Sequence, residues 1–226
     1  IVLVEKFGKY KCLGHTIDDA AGEAFDKVAR LLKLGYPGGP VIEELAKKGD
    51  RRRYDFPRPL SNKDNLNVSF SGLKTAALVK LKNIFLEKNK NKESETISFS
   101  PHSSYYDIES LSLSKEELYD FTASFQQAVI DSIKIKLKKA LKLYRIKNLA
   151  LSGGVVSNLA LRSQYRALMK KNSGFISIPH KKFCTDNAAM IGITGYYNII
   201  NLKNIYQVGN IDSIDRKPSL NVGEFS

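Results

Sequence analysis

The chain has 226 residues, enough for one large domain or two small lobes, and 42% of them are hydrophobic, enough to bury a core. No apolar run approaches the roughly 18 residues a membrane-spanning helix needs, and the start has no charged-then-apolar signal segment. The net charge of +13 favours polyanions such as nucleic acid or an acidic membrane surface. A chain this rich in Lys, Asn and Ile could equally reflect an A+T-rich coding sequence. Cys12 and Cys184, far apart, make neither a disulfide framework nor a complete zinc site, and a reducing cytoplasmic setting follows.

The opening residues IVLVE already read as a strand, so the sequence is taken as part of a longer or split protein. Two strands are expected within residues 1–14, turning at Phe7, Gly8 and Lys9. Thr16 and Asp19 fit a capping box, followed by a helix with Ala24, Phe25, Val28, Leu31 and Leu32 inward and an end near Gly35. Gly38, Gly39 and Pro40 then precede a second helix over residues 41–48. A basic loop over 51–59 and a short strand over 67–70 lead to a helix from Ser71 or Gly72 to Leu86.

Residues 87–113 are polar and without a period, and read as a surface insertion. Ser114 and Glu117 form a second capping-box pattern, opening a long helix to about Tyr144. The last third alternates: a strand over 148–151, a glycine turn, a helix over 158–171, a strand over 175–178, and a helix from Asp186 or Asn187 to about Ile200. This order is an α/β signature. Residues 204–226 read as an extended tail.

Five places could carry chemistry. Gly153 and Gly154 lie between a strand and a helix, where bare backbone N–H groups and a helix N-terminus suit an anion. Asn158 could meet a ribose hydroxyl there, or simply cap the helix. Asp186 could ligate a metal or cap its own helix. Asp18, Asp19, Glu23 and Asp26 crowd one helix start; Glu23 suits an i,i+4 pair with Lys27, and Asp26 is either a binder of paired hydroxyls or an exposed polar residue. Gly38 and Gly39, with Glu43 one turn later, allow a flat ligand to approach or form an ordinary turn. Lys74, in a first helical turn, opposes the helix dipole and is either functional or an exposed lysine.

The blocks DDAAGEAFDK, LGYPGGP, VSFSGLKTAAL, SFQQAVID, LSGGVVSN and CTDNAAMIG occur in that order. Across residues 1–202 they resemble the TsaD/Gcp family, the Kae-type tRNA N6-adenosine threonylcarbamoyltransferases. The resemblance implies an ASKHA fold, as in actin, Hsp70 and sugar kinases. Residues 1–26 would then complete an N-terminal lobe, residues 27–203 would form the helical and C-terminal lobe with insertion 87–113, and 204–226 the tail. It implies transfer of the threonylcarbamoyl group from threonylcarbamoyl-AMP to N6 of adenosine 37 in tRNAs reading codons that begin with A.

By the same resemblance, Asp26 holds the ribose or threonyl part, Gly39 lines the adenine pocket, and Glu43 contacts the nucleotide. Gly153 and Gly154 lie beside the phosphate, Asn158 belongs to the second glycine loop, and Asp186 ligates one divalent metal, Fe2+ or Zn2+. The family's HxxxH histidines and first glycine loop lie upstream of these residues, and His15 does not replace them. The implied partners are tRNA, a TsaB-like paralogue and a TsaE-like ATPase, with no membrane. Two other readings stay open: an inactive piece or scaffold binding a TsaB-like partner, and an ASKHA-type small-molecule phosphotransferase. One lobe alone would expose apolar surface.

Overall fold

The structure, a computed structural model, describes residues 1–89 and 113–202. Strands β1 (Val2–Lys6) and β2 (Lys9–Cys12) form an antiparallel hairpin, with Gly8 at φ 78° making the turn. Helices α1 (Ala21–Leu31), α2 (Gly38–Ala46) and α3 (Ser71–Asn89) follow. The long helix α4 (Lys115–Leu143) is the axis of the packing. Beyond it lie β3 (Asn148–Ala150), a short 3-10 turn (Gly154–Ser157), α5 (Leu159–Lys171), β4 (Phe175–Ser177) and α6 (Ala188–Tyr197). β3 and β4 pair in parallel, with α5 as the crossover between them, so the expected α/β class holds.

The core forms because the apolar stripes of α1, α2 and α3 meet α4. Phe25, Phe56, Phe121 and Phe125 are all buried, and they meet edge to face: Phe25 on Phe125 at 5.6 Å, Phe56 on Phe121 at 5.2 Å and on Phe125 at 5.8 Å. Farther along α4, Ile130 and Leu137 take Leu161, Tyr165 and Leu168 of α5. Lys136 lies on this buried side, and its ammonium donates to the carbonyls of Lys63 and Asn65, both at 2.9 Å. Burial lowers its pKa below the ordinary lysine value. These two hydrogen bonds offset part of the cost of desolvating the group.

Several expected boundaries move. The Thr16–Asp19 box does not form. Thr16 Oγ1 donates to the Asp19 carbonyl at 2.7 Å, and α1 starts later, after Ala20, whose N–H meets Glu23 at 3.4 Å. α1 ends at Leu31, not near Gly35, because Lys33 turns left-handed (φ 55°) and Leu34 N–H bonds back to the Ala29 carbonyl at 2.9 Å. α2 starts at Gly38 rather than residue 41. Residues 67–70 make no strand; Val68 only bridges Thr16 in parallel. The first part of the supposed insertion, residues 87–89, is the last turn of α3, and residues 90–112 and the tail call at 204–226 lie outside the described residues.

The second box forms as expected: Glu117 N–H donates to Ser114 Oγ at 3.2 Å, and Ser114 N–H to Glu117 at 2.7 Å. α6 is apolar along its length and none of its residues is buried, with Ile191, Ile193 and Tyr196 exposed. It touches the hairpin through Tyr197 on Phe7, ring centres 5.4 Å apart. No helix among the described residues is long and apolar enough to cross a membrane.

Asp18 is the tie between the segment before α1 and the start of α3. Its carboxylate accepts from the Phe70 N–H (2.8 Å), the Ser71 N–H (3.3 Å), and the hydroxyls of Ser69 (2.5 Å) and Ser71 (2.6 Å). Partial burial alone would raise its pKa, but these four donors outweigh it and hold the carboxyl well below the usual range. A lowered folded-state pKa stabilises above the unfolded value and loses that contribution as pH falls. Asp18→Ala therefore lowers stability at pH 7 by about 1 kcal/mol, allowing for solvent screening at an exposed carboxylate. In urea unfolding, the gap between wild type and variant stays constant above about pH 5 and narrows steadily below about pH 4.

Candidate functional site

A cavity of about 870 Å3 opens between the α1–α2 corner and the turn that joins β3 to α5. Asp26, Gly39, Glu43, Gly153, Gly154 and Asn158, drawn from separate stretches of chain, all line it. Its inner wall is apolar, with Leu137, Leu149, Leu161 and Tyr165. A polar rim over an apolar floor suits a ligand with a flat apolar part and a charged end.

Each wall has a local cause. Asp26 sits on α1 and half-buried, and it accepts the Gly38 N–H at 2.7 Å, the first amide of α2. Pro37, the residue before α2, has no side chain able to do this. Asp26 is therefore not the freely exposed position that one reading allowed. Gly38 fits because it is glycine: a Cβ there would stand 2.5 Å from Ala29 Cβ and 2.8 Å from Phe25 O. Its close approach is to α1, not to a ligand. Gly39 has open space where its side chain would be, on the cavity side.

Glu43, on α2, accepts the Leu159 N–H at 2.6 Å, the first amide of α5. Asn158 caps the same helix, its Oδ1 taking the Leu161 N–H at 2.9 Å while Nδ2 donates to Gln126 at 2.6 Å. So the cap reading of Asn158 holds, and its side chain is buried. Gly153 takes φ 98°, which only glycine accepts easily, and leaves Gly153 and Gly154 exposed on the cavity rim. A Cβ on Gly154 would lie 3.8 Å from Thr185 Cγ2, so the loop before α6 closes over this turn. Glu43 and Asn158 already take the Leu159 and Leu161 amides of α5, so the positive partial charge left at this corner is that of the glycine turn's own amides.

Asp186 is exposed and, unlike its neighbour Thr185, does not line the cavity. It does not cap α6 either, since Asn187 Oδ1 takes the Met190 N–H at 3.0 Å. Among the described residues no three His, Cys, Asp or Glu side chains gather to hold a metal ion. One exposed carboxylate does not fit the ligand set of a divalent cation, so these residues alone do not build the implied metal centre.

Two buried residues of this region were not singled out from the sequence. Tyr165 lines the floor and donates to the Ile130 carbonyl at 3.3 Å, and burial pushes its phenol up. Arg162 is buried on the inner stripe of α5. The signal was present: Asn158, Leu161, Arg162, Tyr165 and Leu168 share one helical face, and an arginine on such a face must find partners.

The double use of Asp26 separates two roles. Asp26→Asn keeps an acceptor for Gly38 N–H and unfolds in urea within about 0.5 kcal/mol of wild type, whereas Asp26→Ala loses about 1 kcal/mol.

The chain is similar to known proteins over most of its length. The family model described as TsaD, tRNA N6-adenosine threonylcarbamoyltransferase, matches residues 1–193. A tRNA N6-adenosine threonylcarbamoyltransferase of Clostridioides difficile (strain 630) is 41% identical over 203 residues, covering 90% of this chain and 53% of that protein. One of Thermosipho africanus (strain TCF52B) is 42% identical over 196 residues, covering 87% of this chain and 51% of its own length. The chain thus spans about half the length of the curated relatives it matches. On the extent of these matches, the chain belongs to the TsaD family of tRNA N6-adenosine threonylcarbamoyltransferases.

Proposed function

We propose that this chain forms the nucleotide side of a threonylcarbamoyltransferase, holding the AMP half of threonylcarbamoyl-AMP while the group passes to N6 of adenosine 37 of a tRNA. The observation that carries this is the convergence of Asp26, Gly39, Glu43, Gly153, Gly154 and Asn158 on one cavity. The adenine lies on the apolar floor beside Gly39. The ribose hydroxyls meet the carboxylate oxygen of Asp26 that does not hold Gly38. Glu43 stands at the junction of the nucleoside and phosphate ends. The phosphate rests on the glycine turn at the start of α5.

In this reaction the adenosine N6 lone pair attacks the carbamoyl carbon. The bond from that carbon to the phosphate oxygen breaks, AMP leaves with the electron pair, and N6 releases a proton to solvent. The glycine-turn amides take up the charge that grows on the phosphate. AMP is a good leaving group, so orientation supplies much of the rate. Asp186 would supply one carboxylate to a divalent metal, Fe2+ or Zn2+, and alone would not hold it.

The parallel β3–α5–β4 unit with its glycine turn supports an ASKHA architecture. The basic chain and the exposed loop of Arg51, Arg52 and Arg53 support tRNA as partner. A TsaB-like paralogue and a TsaE-like ATPase are the proposed protein partners, in the cytoplasm.

Gly39→Leu tests the cavity without disturbing the fold, because open space surrounds that position. Calorimetry with AMP should show binding to the wild-type chain and at least about tenfold weaker binding to the variant, with an unchanged thermal midpoint. Equal affinity in the two proteins, or none in the wild type, overturns the proposal. Reversing charge at Arg51, Arg52 and Arg53 together should weaken tRNA binding and reduce the slope of log affinity against log salt by about 2. An unchanged slope removes this loop from the tRNA surface.

A further inference from the structure

Arg162 is 7% exposed, and the described hydrogen bonds of its guanidinium go to no carboxylate. Nε donates to the Val156 carbonyl at 2.6 Å. Nη2 donates to the Pro179 carbonyl at 2.9 Å and to Cys184 Sγ at 3.1 Å. Val156 belongs to the 3-10 turn that follows Gly153, while Pro179 and Cys184 belong to the loop between β4 and α6. One side chain therefore joins the two loops that carry Gly154 and Thr185, both of which line the cavity.

Burying a cation is costly unless it is fully hydrogen-bonded, and a pure stability role is served as well by an apolar residue of similar size. The glycine turn needs such a brace. Gly153 and Gly154 are exposed and have no side chains of their own to pack, and glycine gives the backbone its widest freedom. A mobile loop would have to be ordered each time a phosphate bound, at a cost in affinity. Arginine suits the task because its planar fork aims several N–H groups at fixed angles, which lysine cannot do.

We propose that Arg162 is a positioning residue: by clamping Val156 to Pro179 and Cys184 it holds the glycine turn in the shape that receives the phosphate of the bound nucleotide. This rests on the nucleotide reading of the cavity given above. Arg162 touches neither nucleotide nor reacting atoms; it acts through the turn. Its effect is therefore confined to the phosphate end, and the nucleoside end, built by Asp26 and Gly39, is insensitive to it.

Titrating the 226-residue chain with AMP and, separately, with adenosine tests this. Arg162→Lys, which keeps the charge but not the fork, should weaken AMP about tenfold and leave adenosine within about twofold of wild type. Cys184→Ala removes the sulfur, which accepts from Arg162 and donates weakly to the Pro179 and His180 carbonyls, and should give the same selective loss on a smaller scale, about two- to threefold, so the test stands even where the lysine variant fails to fold. Amide hydrogen exchange over residues 153–158 should quicken in either variant while α4 stays protected. AMP and adenosine weakening in the same proportion, or AMP binding unchanged, overturns the role of Arg162. Wild-type chain that binds neither ligand overturns the nucleotide reading itself, and the inference with it.

Discussion

Three carboxylates from the first fifty residues each hold the first amides of a helix elsewhere in the chain, and the arrangement of the site depends on these ties. Asp18 takes Phe70 and Ser71 at the start of α3, Asp26 takes Gly38 at the start of α2, and Glu43 takes Leu159 at the start of α5. A helix N-terminus carries unsatisfied N–H groups and a positive partial charge, so a carboxylate there answers both at once. The caps are remote rather than local, and this is what makes them architectural. Each one fixes the end of one helix against the body of another, while the phenylalanine cluster on α4 supplies the burial.

The same ties place the cavity chemistry. Asp26 and Glu43 each spend one oxygen on the scaffold, and both residues line the cavity. The glycine turn is approached from three directions: by Glu43 and Asn158 at the start of α5, by Thr185 over the turn, and by Arg162 from beneath. Fold and site share these residues, so substitution of either acid is read correctly only when stability and binding are measured together.

What could be read from the sequence follows the range of each interaction. The Ser114–Glu117 box and the Asn158 cap are contacts over three residues, and both were legible from spacing alone. The ends of α1 and the start of α2 were not, because a left-handed Lys33 and the cap from Asp26 decide them. Asp18 looked like one of several acids at the start of its own helix, but its partners lie 51 to 53 residues away. The strand expected over 67–70 shrank to one bridge because those backbone groups answer Asp18 and residues 15–17 instead of a sheet. The glycine turn was legible as a candidate from its place between strand and helix. That Gly39, Asp26 and Asn158 reach the same cavity followed from the ordered family motifs, not from any property of the residues singly. Asp186 shows the limit: its motif is present, yet among the described residues the other ligands of a metal are not.

The most direct test of the account is an amide chemical-shift map of the isotopically labelled chain during titration with AMP. The account predicts the largest shifts at Gly153, Gly154 and Gly39, with small shifts in a separate polar cleft lined by Arg51, Arg58, Asp131 and Lys134. Shifts that cluster at the Arg51–Lys134 cleft and leave the glycine turn unmoved would contradict it.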